Sequence, residues 1–338
     1  MRSAGLQVTI GEAMVVLYPE DQRPLAEADR FGSDVGGAEF NVATSLARLG
    51  LPTSWVSRLG TDGFGARIRR VAGESGVDTS AVELDPSRPT GLYVKETTRT
   101  AGDVSTRMHY HRSGSAASAL SSATLASPAA AALLTSAELV HTSGITAALS
   151  PTAAEAVTGL RAVLGPDTRL SVDLNYRPQL WGDGDTSALT GLVAQADLLF
   201  LGRDEAEACF GHGDARRLFD AHPLLDTIVV KEDAHRASVH RRGGAEVHVR
   251  CLSVDVVEPI GAGDAFAAGF LCGLAERRDD AACLRLGHAL AALALTSAGD
   301  RPLSVPDEMD RERIAGASDE EWASWAVRPG ASPWRRSS

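Results

Sequence analysis

The residues best able to do chemistry lie together at Gly261-Ala262-Gly263-Asp264. The run after them, residues 265–275, is apolar nearly all round and predicts a buried helix. The backbone N–H groups of Gly261, Ala262 and Gly263 then fall at that helix's N-terminus, without intrahelical partners and at the positive end of its dipole. Such a spot attracts an anion. Pro259 fixes the entry to the turn, and Gly261 and Gly263 permit backbone angles that a side chain would forbid. Asp264 is a carboxylate beside the place where a phosphate could sit. N–H groups that hold developing negative charge, next to a carboxylate that takes a proton, suit transfer of a phosphoryl group to a hydroxyl. A glycine turn with Asp264 as an ordinary helix N-cap has the same sequence, so the rest of the chain must decide.

Strands and helices alternate through the first part of the chain. Residues 7–10 predict a strand, 36–49 a helix closed by Gly50, 53–56 a strand, and 64–71 a helix with Phe64, Ile68 and Val71 on one side. This order favours an α/β fold with a largely parallel sheet. Residues 139–142, 170–174, 198–201 and 227–230 predict further strands, which end before Ser143-Gly144-Ile145, Asn175-Tyr176-Arg177, Arg203-Asp204-Glu205 and Lys231-Glu232. Ligands bind outside the C-terminal ends of strands in open α/β sheets, so polar residues collect where a site should be. Residues 90–96 and 106–112 break the alternation and predict a strand pair acting as a lid. Period two puts Met108, Tyr110 and Arg112 on one face and His109 and His111 on the other. Two histidines without a third ligand at suitable spacing predict lid surface or a subunit contact, not a metal site. Residues 113–138 are Ala- and Ser-rich and predict helix for much of their length. A hairpin is expected around Gly243-Gly244 and a long helix over 281–296. Beyond Pro306 the chain turns charged, and disorder is expected after Val327.

A chain of 338 residues with 44% hydrophobic and 23% charged residues can bury a substantial core. Its net charge of −11 argues against a general nucleic-acid or anionic-membrane binder. An anionic substrate would therefore need local positive side chains. No apolar run reaches the length of a membrane span, and no signal peptide is read, so the expected location is cytoplasmic. Cys209, Cys251, Cys272 and Cys283 lack CxxC spacing, so neither a zinc site nor a disulfide framework is expected.

Gly36-Gly37-Ala38-Glu39-Phe40-Asn41-Val42-Ala43 and Gly261-Ala262-Gly263-Asp264-Ala265-Phe266 together resemble the paired signatures of the ribokinase-like (PfkB) carbohydrate kinases. The resemblance covers about residues 5–306. It implies a ribokinase-like α/β fold: a mostly parallel central sheet flanked by helices, with a small inserted β lid from about 12–35 and 88–113. Residues 307–338 would form a charged, partly disordered C-terminal tail. It also implies ATP-dependent phosphorylation, with Asp264 as general base and Gly261, Ala262 and Gly263 as the anion hole. Within the family, Thr90-Gly91-Leu92-Tyr93, Tyr110-His111-Arg112, Gly114-Ser115-Ala116, Ser143-Gly144-Ile145-Thr146, Asp173-Leu174-Asn175-Tyr176-Arg177 and Gly299-Asp300 resemble the 2-keto-3-deoxygluconate kinase branch.

On that likeness Gly37, Tyr93, Tyr110, Arg112, Ile145, Arg177 and Asp300 are expected to contact a sugar acid, giving 2-keto-3-deoxy-6-phosphogluconate as product. Asn175, Lys231, Arg236, Gly261 and Gly263 are expected to serve ATP, and Glu205 its Mg²⁺. Many family members carry an Asp-Thr pair where this chain has Glu258-Pro259, which leaves a monovalent-cation requirement open. The family's Asn-x-x-Glu element is here Gly202-Arg203-Asp204-Glu205, and residues 231–237 lack the usual glycines. A kinase for a neutral sugar such as fructose or ribose, or for a nucleoside, stays open, as does a non-catalytic sugar-binding protein. The expected partners are a small-molecule sugar acid and ATP, with no nucleic acid and no membrane. The exposed edges of the lid strands predict a homo-oligomer, a dimer or higher.

Overall fold

The structure is a computed structural model that describes residues 4–21, 23–100, 103–182, 184–232 and 234–335. A nine-stranded sheet runs through them. Thr227–Glu232, Leu198–Gly202, Arg169–Asp173, Leu139–Ser143, Gln7–Ile10, Thr53–Gly60 and Val82–Asp85 lie in that spatial order, all parallel. Arg236–Arg241 and Val247–Arg250 complete one edge antiparallel. Runs such as Leu198-Leu199-Phe200-Leu201 are buried throughout, as a parallel strand covered by helices on both faces requires. The chain leaves Gln7–Ile10 toward Thr53–Gly60 and later returns on its other side at Leu139–Ser143. That reversal is the topological switch point, where a ligand crevice opens.

Helices Ala38–Arg48, Ala262–Ala275 and Asp280–Leu295 share one core with Phe200 and Val229 of the sheet. Pro128–Ser136, Pro151–Thr158 and Ser187–Val193 pack in a second core with Leu199 and Ile228. Neighbouring strand residues 199 and 200 thus face opposite cores, as pleating dictates. Ala262–Ala275 touches Asp280–Leu295 closely because Gly269 has no side chain: a Cβ there would lie 2.3 Å from the Leu286 carbonyl oxygen.

The lid is a four-stranded sheet in the order Phe31–Gly36, Met14–Pro19, Leu92–Thr100, Asp103–His111. Its first two strands carry no clear pattern in the sequence, since a polar, Pro-containing stretch joins them. They form by pairing, from Met14↔Gly36 to Pro19↔Phe31. One face presents Met14, Val16, Tyr93 and Met108 as a small cluster. Tyr93 stands opposite Tyr110, and Lys95 opposite Met108.

The C-terminal segment corrects the expectation of a charged, partly disordered tail. Residues 308–315 and 319–324 are helical, and Ala326–Val327 pairs with Ser253–Val254. Trp322, Trp325 and Trp334 are buried in the first core, Trp334 at 1% exposure. Charged residues are frequent here, and several pair with the body, as in Arg278–Glu312 and Arg285–Asp319. Three indoles supply the apolar area that such a short segment needs to dock. Residues 336–338 lie outside the described residues.

Candidate active site

Gly261 is the N-cap of Ala262–Ala275, with φ 80°. Only glycine fits it comfortably: the backbone angle is left-handed, and a Cβ would lie 1.9 Å from the Asp300 carbonyl oxygen. Gly263, read from sequence as a second conformational glycine, is instead ordinary helix. A Cβ there would make only an ordinary contact, 3.5 Å from Lys231 Nζ. Asp264 falls in the first helical turn and makes no capping bond. The N-cap is Gly261 and not Asp264, whose carboxylate accepts a hydrogen bond from Asn41 Nδ2 at 2.8 Å.

Burial is the main force on Asp264 and pushes its pKa up to about 7. The Asn41 hydrogen bond opposes this, the negative charges of Asp173 and Glu39 add to it, and Lys231 offsets part. A carboxyl poised near neutrality suits a general base. Glu39 is itself buried, which pushes its pKa up against hydrogen bonds from Ser143 Oγ (2.6 Å) and Thr146 Oγ1 (2.8 Å).

Two adjoining cavities meet at this turn. The first, about 260 Å³, is walled by Gly37, Tyr93, Tyr110, Arg112, Ile145, Asn175, Arg177 and Asp300, with Asp264 and the glycine turn at its floor. The second, about 570 Å³, runs along Gly202–Glu205, Ala234, Arg236, Leu252, Val256, Ala262 and Phe266. Arg177, Glu205, Lys231, Pro259 and Gly263 belong to both. Every residue expected at the sugar therefore borders the first cavity. Among those expected at ATP, Arg236 borders the second, Lys231 and Gly263 sit at the junction, and Asn175 borders only the first. Asn175 holds a left-handed backbone (φ 37°), and its buried Oδ1 has no protein hydrogen-bond partner.

The charges are paired in ways sequence did not reveal. Arg112 Nη2 lies 2.5 Å from Glu12 Oε2, and its guanidinium carbon stands 5.7 Å from the Tyr110 ring centre. Arg112 Nε is buried without a hydrogen-bond partner. Arg177 Nη1 donates to Glu205 Oε1 at 2.7 Å. Lys231 Nζ is 3.0 Å from Asp173 Oδ2. Burial works against the Lys231 charge, but Asp173 and Glu205 outweigh it and its pKa is raised. Tyr93 Oη donates to Asp300 Oδ2, and Lys95 Nζ donates to Asp300 Oδ1 at 2.5 Å. Five carboxylates and three cationic side chains line the first cavity. Asn41, Glu12 and Asp173 thus border the first cavity without having been singled out from the sequence, and Lys95 reaches its Asp300 from the lid. The period-two spacing of Tyr93 and Lys95 was a usable signal for the last.

The glycine-free stretch from Lys231 is a tight antiparallel hairpin, with Glu232 opposite Arg236. Arg236 Nε donates to Glu232 Oε2 at 2.5 Å, and Arg203 pairs with the same carboxylate. Asp233 lies outside the described residues. Among the described residues no group of three or more His, Cys, Asp or Glu side chains converges as a metal site. Mg²⁺ typically keeps phosphate and water ligands and takes one or two carboxylates from the protein. Glu205, at the junction of the cavities, fits that limited role.

A helix N-terminus with a buried carboxyl in its first turn, at the switch point of a parallel sheet and under a β lid, marks a ribokinase-like phosphotransferase. The chain belongs to the pfkB family of carbohydrate kinases, whose family model matches residues 6–308. It is a sugar kinase. It is 32% identical to the 2-dehydro-3-deoxygluconokinase of Thermoproteus tenax over 92% of this chain and 94% of that one. It is also 32% identical to the 2-dehydro-3-deoxygalactonokinase of Haloferax volcanii, over 90% and 95%. Among solved structures, fructokinase with bound ATP from Xylella fastidiosa matches with a TM-score of 0.77 at 25% identity, over 91% of this chain and 97% of that one. Among the described residues no helix is long and apolar enough to cross a membrane.

Proposed function

We propose that this kinase transfers the γ-phosphoryl group of ATP to a primary hydroxyl of a sugar acid. The acceptor is 2-keto-3-deoxygluconate, also called 2-dehydro-3-deoxygluconate, and the product is its 6-phosphate. One observation carries the reading: Arg112, with an unpartnered buried Nε, borders the same cavity as Asp264. Its guanidinium can meet a carboxylate at one end of an acceptor whose hydroxyl reaches Asp264 at the other. The likeness to kinases of two such sugar acids supports the same class.

Asp264 accepts the proton of the acceptor hydroxyl as the oxygen forms its bond to the γ-phosphorus. The bond from that phosphorus to the bridging oxygen breaks, and ADP leaves with the electron pair. The N–H groups of the Gly261–Gly263 turn hold the charge on the moving phosphoryl group, and the Lys231 ammonium stands beside them. Positioning by the two cavities supplies much of the rate. The larger cavity suits the nucleotide by its size, and a structural neighbour, the Xylella fastidiosa fructokinase, has ATP bound. Glu205 is the residue that would hold Mg²⁺, which would supply neutralisation of the phosphate charge. A cytoplasmic location fits an enzyme that draws on ATP.

A neutral sugar is the second reading. Carboxylates outnumber cations in the first cavity, and Glu12 already faces Arg112. An acceptor screen scored by ADP release separates the two. Turnover of 2-keto-3-deoxygluconate well above fructose and ribose is expected. Preference for fructose over the sugar acid overturns the acid assignment and leaves the kinase standing.

A further inference from the structure

A buried cation bridges the lid to the glycine turn. Lys95 is 3% exposed and lies on strand Leu92–Thr100, two residues from Tyr93 and on the same face. Its ammonium is 2.5 Å from Asp300 Oδ1 and 3.0 Å from Glu258 Oε2. Both carboxylates are buried, at 3% and 5% exposure. Each belongs to a segment that shapes the turn. Glu258 begins its approach and accepts from the Ile260 N–H at 3.2 Å. The Asp300 carbonyl is the backbone that packs directly on Gly261.

We propose that Lys95 is a positioning residue for phosphoryl transfer: its ammonium, delivered by the lid, is a built-in monovalent cation that draws the Glu258 and Asp300 segments together and so sets the Gly261–Gly263 turn. Two buried carboxylates around one ammonium are stable only while the ammonium is present. Without it they repel, and the two segments that grip Gly261 separate. The charge survives burial, because Asp300 and Glu258 outweigh the desolvation that would lower the lysine's pKa. Tyr93 donates to the same Asp300 while bordering the sugar cavity, so one lid face reaches both the acceptor and the turn. A separate small cavity of about 150 Å³, between Tyr18, Val257 and Ala298, reaches Lys95 and Glu258 from the far side. A small cation could enter there if the lysine were shortened.

The inference rests on reading the Gly261–Gly263 turn as the anion hole. The test uses whichever acceptor the wild type turns over, so a wrong acceptor appears in the wild-type screen and not in the Lys95 result. Lys95→Met and Lys95→Ala are compared for kcat and KM, with circular dichroism and Tm to establish folding. We expect kcat to fall about 10- to 100-fold in both, the size of effect that small misplacement produces, with acceptor KM changed less than about threefold. In Lys95→Ala, about 50 mM K⁺ or ethylammonium should restore kcat at least about fivefold, and tetramethylammonium at equal ionic strength should not; that size-selective rescue is the signature of a replaced cation. Wild-type activity should be equal in K⁺ and Na⁺. A folded Lys95→Met with kcat within about threefold of wild type overturns the proposal. So does a folded, impaired Lys95→Ala that no small cation restores. If neither variant folds, the wild type decides: activation of more than about threefold by K⁺ over Na⁺ means that an external cation holds the turn, and equal activity supports Lys95.

Discussion

The Asp264 carboxyl is buried at a cost in stability. Its pKa of about 7 means that the ionised form is disfavoured in the folded chain relative to the unfolded one. The sign follows: the folded state loses stability as pH rises from the ordinary Asp value toward 7, and no further above it. Asp264→Asn should therefore raise Tm at pH 8 by about 2–5 °C, with the gain shrinking toward pH 4. The same variant should lower kcat roughly 10²–10⁴-fold, the usual worth of a general base. In the wild type, log kcat/KM should rise with unit slope below a pKa near 7 and then level off. A variant that keeps more than about a third of wild-type kcat, with chemistry limiting, removes Asp264 from the mechanism.

Arg112 invites a separate test at the same scale. Its pairing with Glu12 neutralises the charge but leaves the buried Nε free. Arg112→Ala should reduce kcat/KM for 2-keto-3-deoxygluconate by roughly 2–3 kcal/mol, the scale of a charged hydrogen bond. Any activity on fructose should fall far less. Equal losses on both acceptors would mean that Arg112 shapes the lid without reading a carboxylate.

At the scale of elements, the C-terminal segment behaves as part of the core. Trp334 is fully enclosed, next to Trp325 with ring centres 5.8 Å apart. Trp334→Ala should cost about 3–5 kcal/mol in urea unfolding, as large aromatic deletions do. A loss under about 1 kcal/mol would mean that the indole contributes only contact. The hairpin after Lys231 is a different case. Its Glu232–Arg236 and Glu232–Arg203 pairs lie near the surface, where such pairs contribute little stability.

For the whole molecule, the lid leaves an apolar surface to be covered. A groove of about 940 Å³ between the lid's other face and helix Gly63–Glu74 is walled by Val15, Leu17, Phe64 and Leu92. Phe31, on the edge strand, is 45% exposed. Sheet edges and apolar faces of this kind are usually buried against another chain. We expect a homodimer with the lid at or near the contact, read as twice the chain mass by light scattering. A monomer at micromolar concentration counts against it.

Alternation of strand and helix, the buried runs of the parallel sheet and the two glycine motifs were legible in the chain alone, because each is written within a few consecutive residues. So was the convergence of strand ends on one crevice, a consequence of parallel topology. Only the family resemblance put residues 12–35 in the lid; no local pattern marked the strands Met14–Pro19 and Phe31–Gly36, since pairing makes them strands. The charged composition of the last thirty-two residues concealed three buried indoles, because composition averages over faces that folding separates. Asn41 on Asp264 joins residues 223 positions apart, and Lys95 on Asp300 joins residues 205 apart. A side chain's partner at such separation depends on strand order and lid placement, which no local period records. The chain by itself placed a glycine turn and a carboxylate at the start of a buried helix; the tertiary structure decided which charges surround that carboxylate and set Lys95 between Glu258 and Asp300 beside the turn.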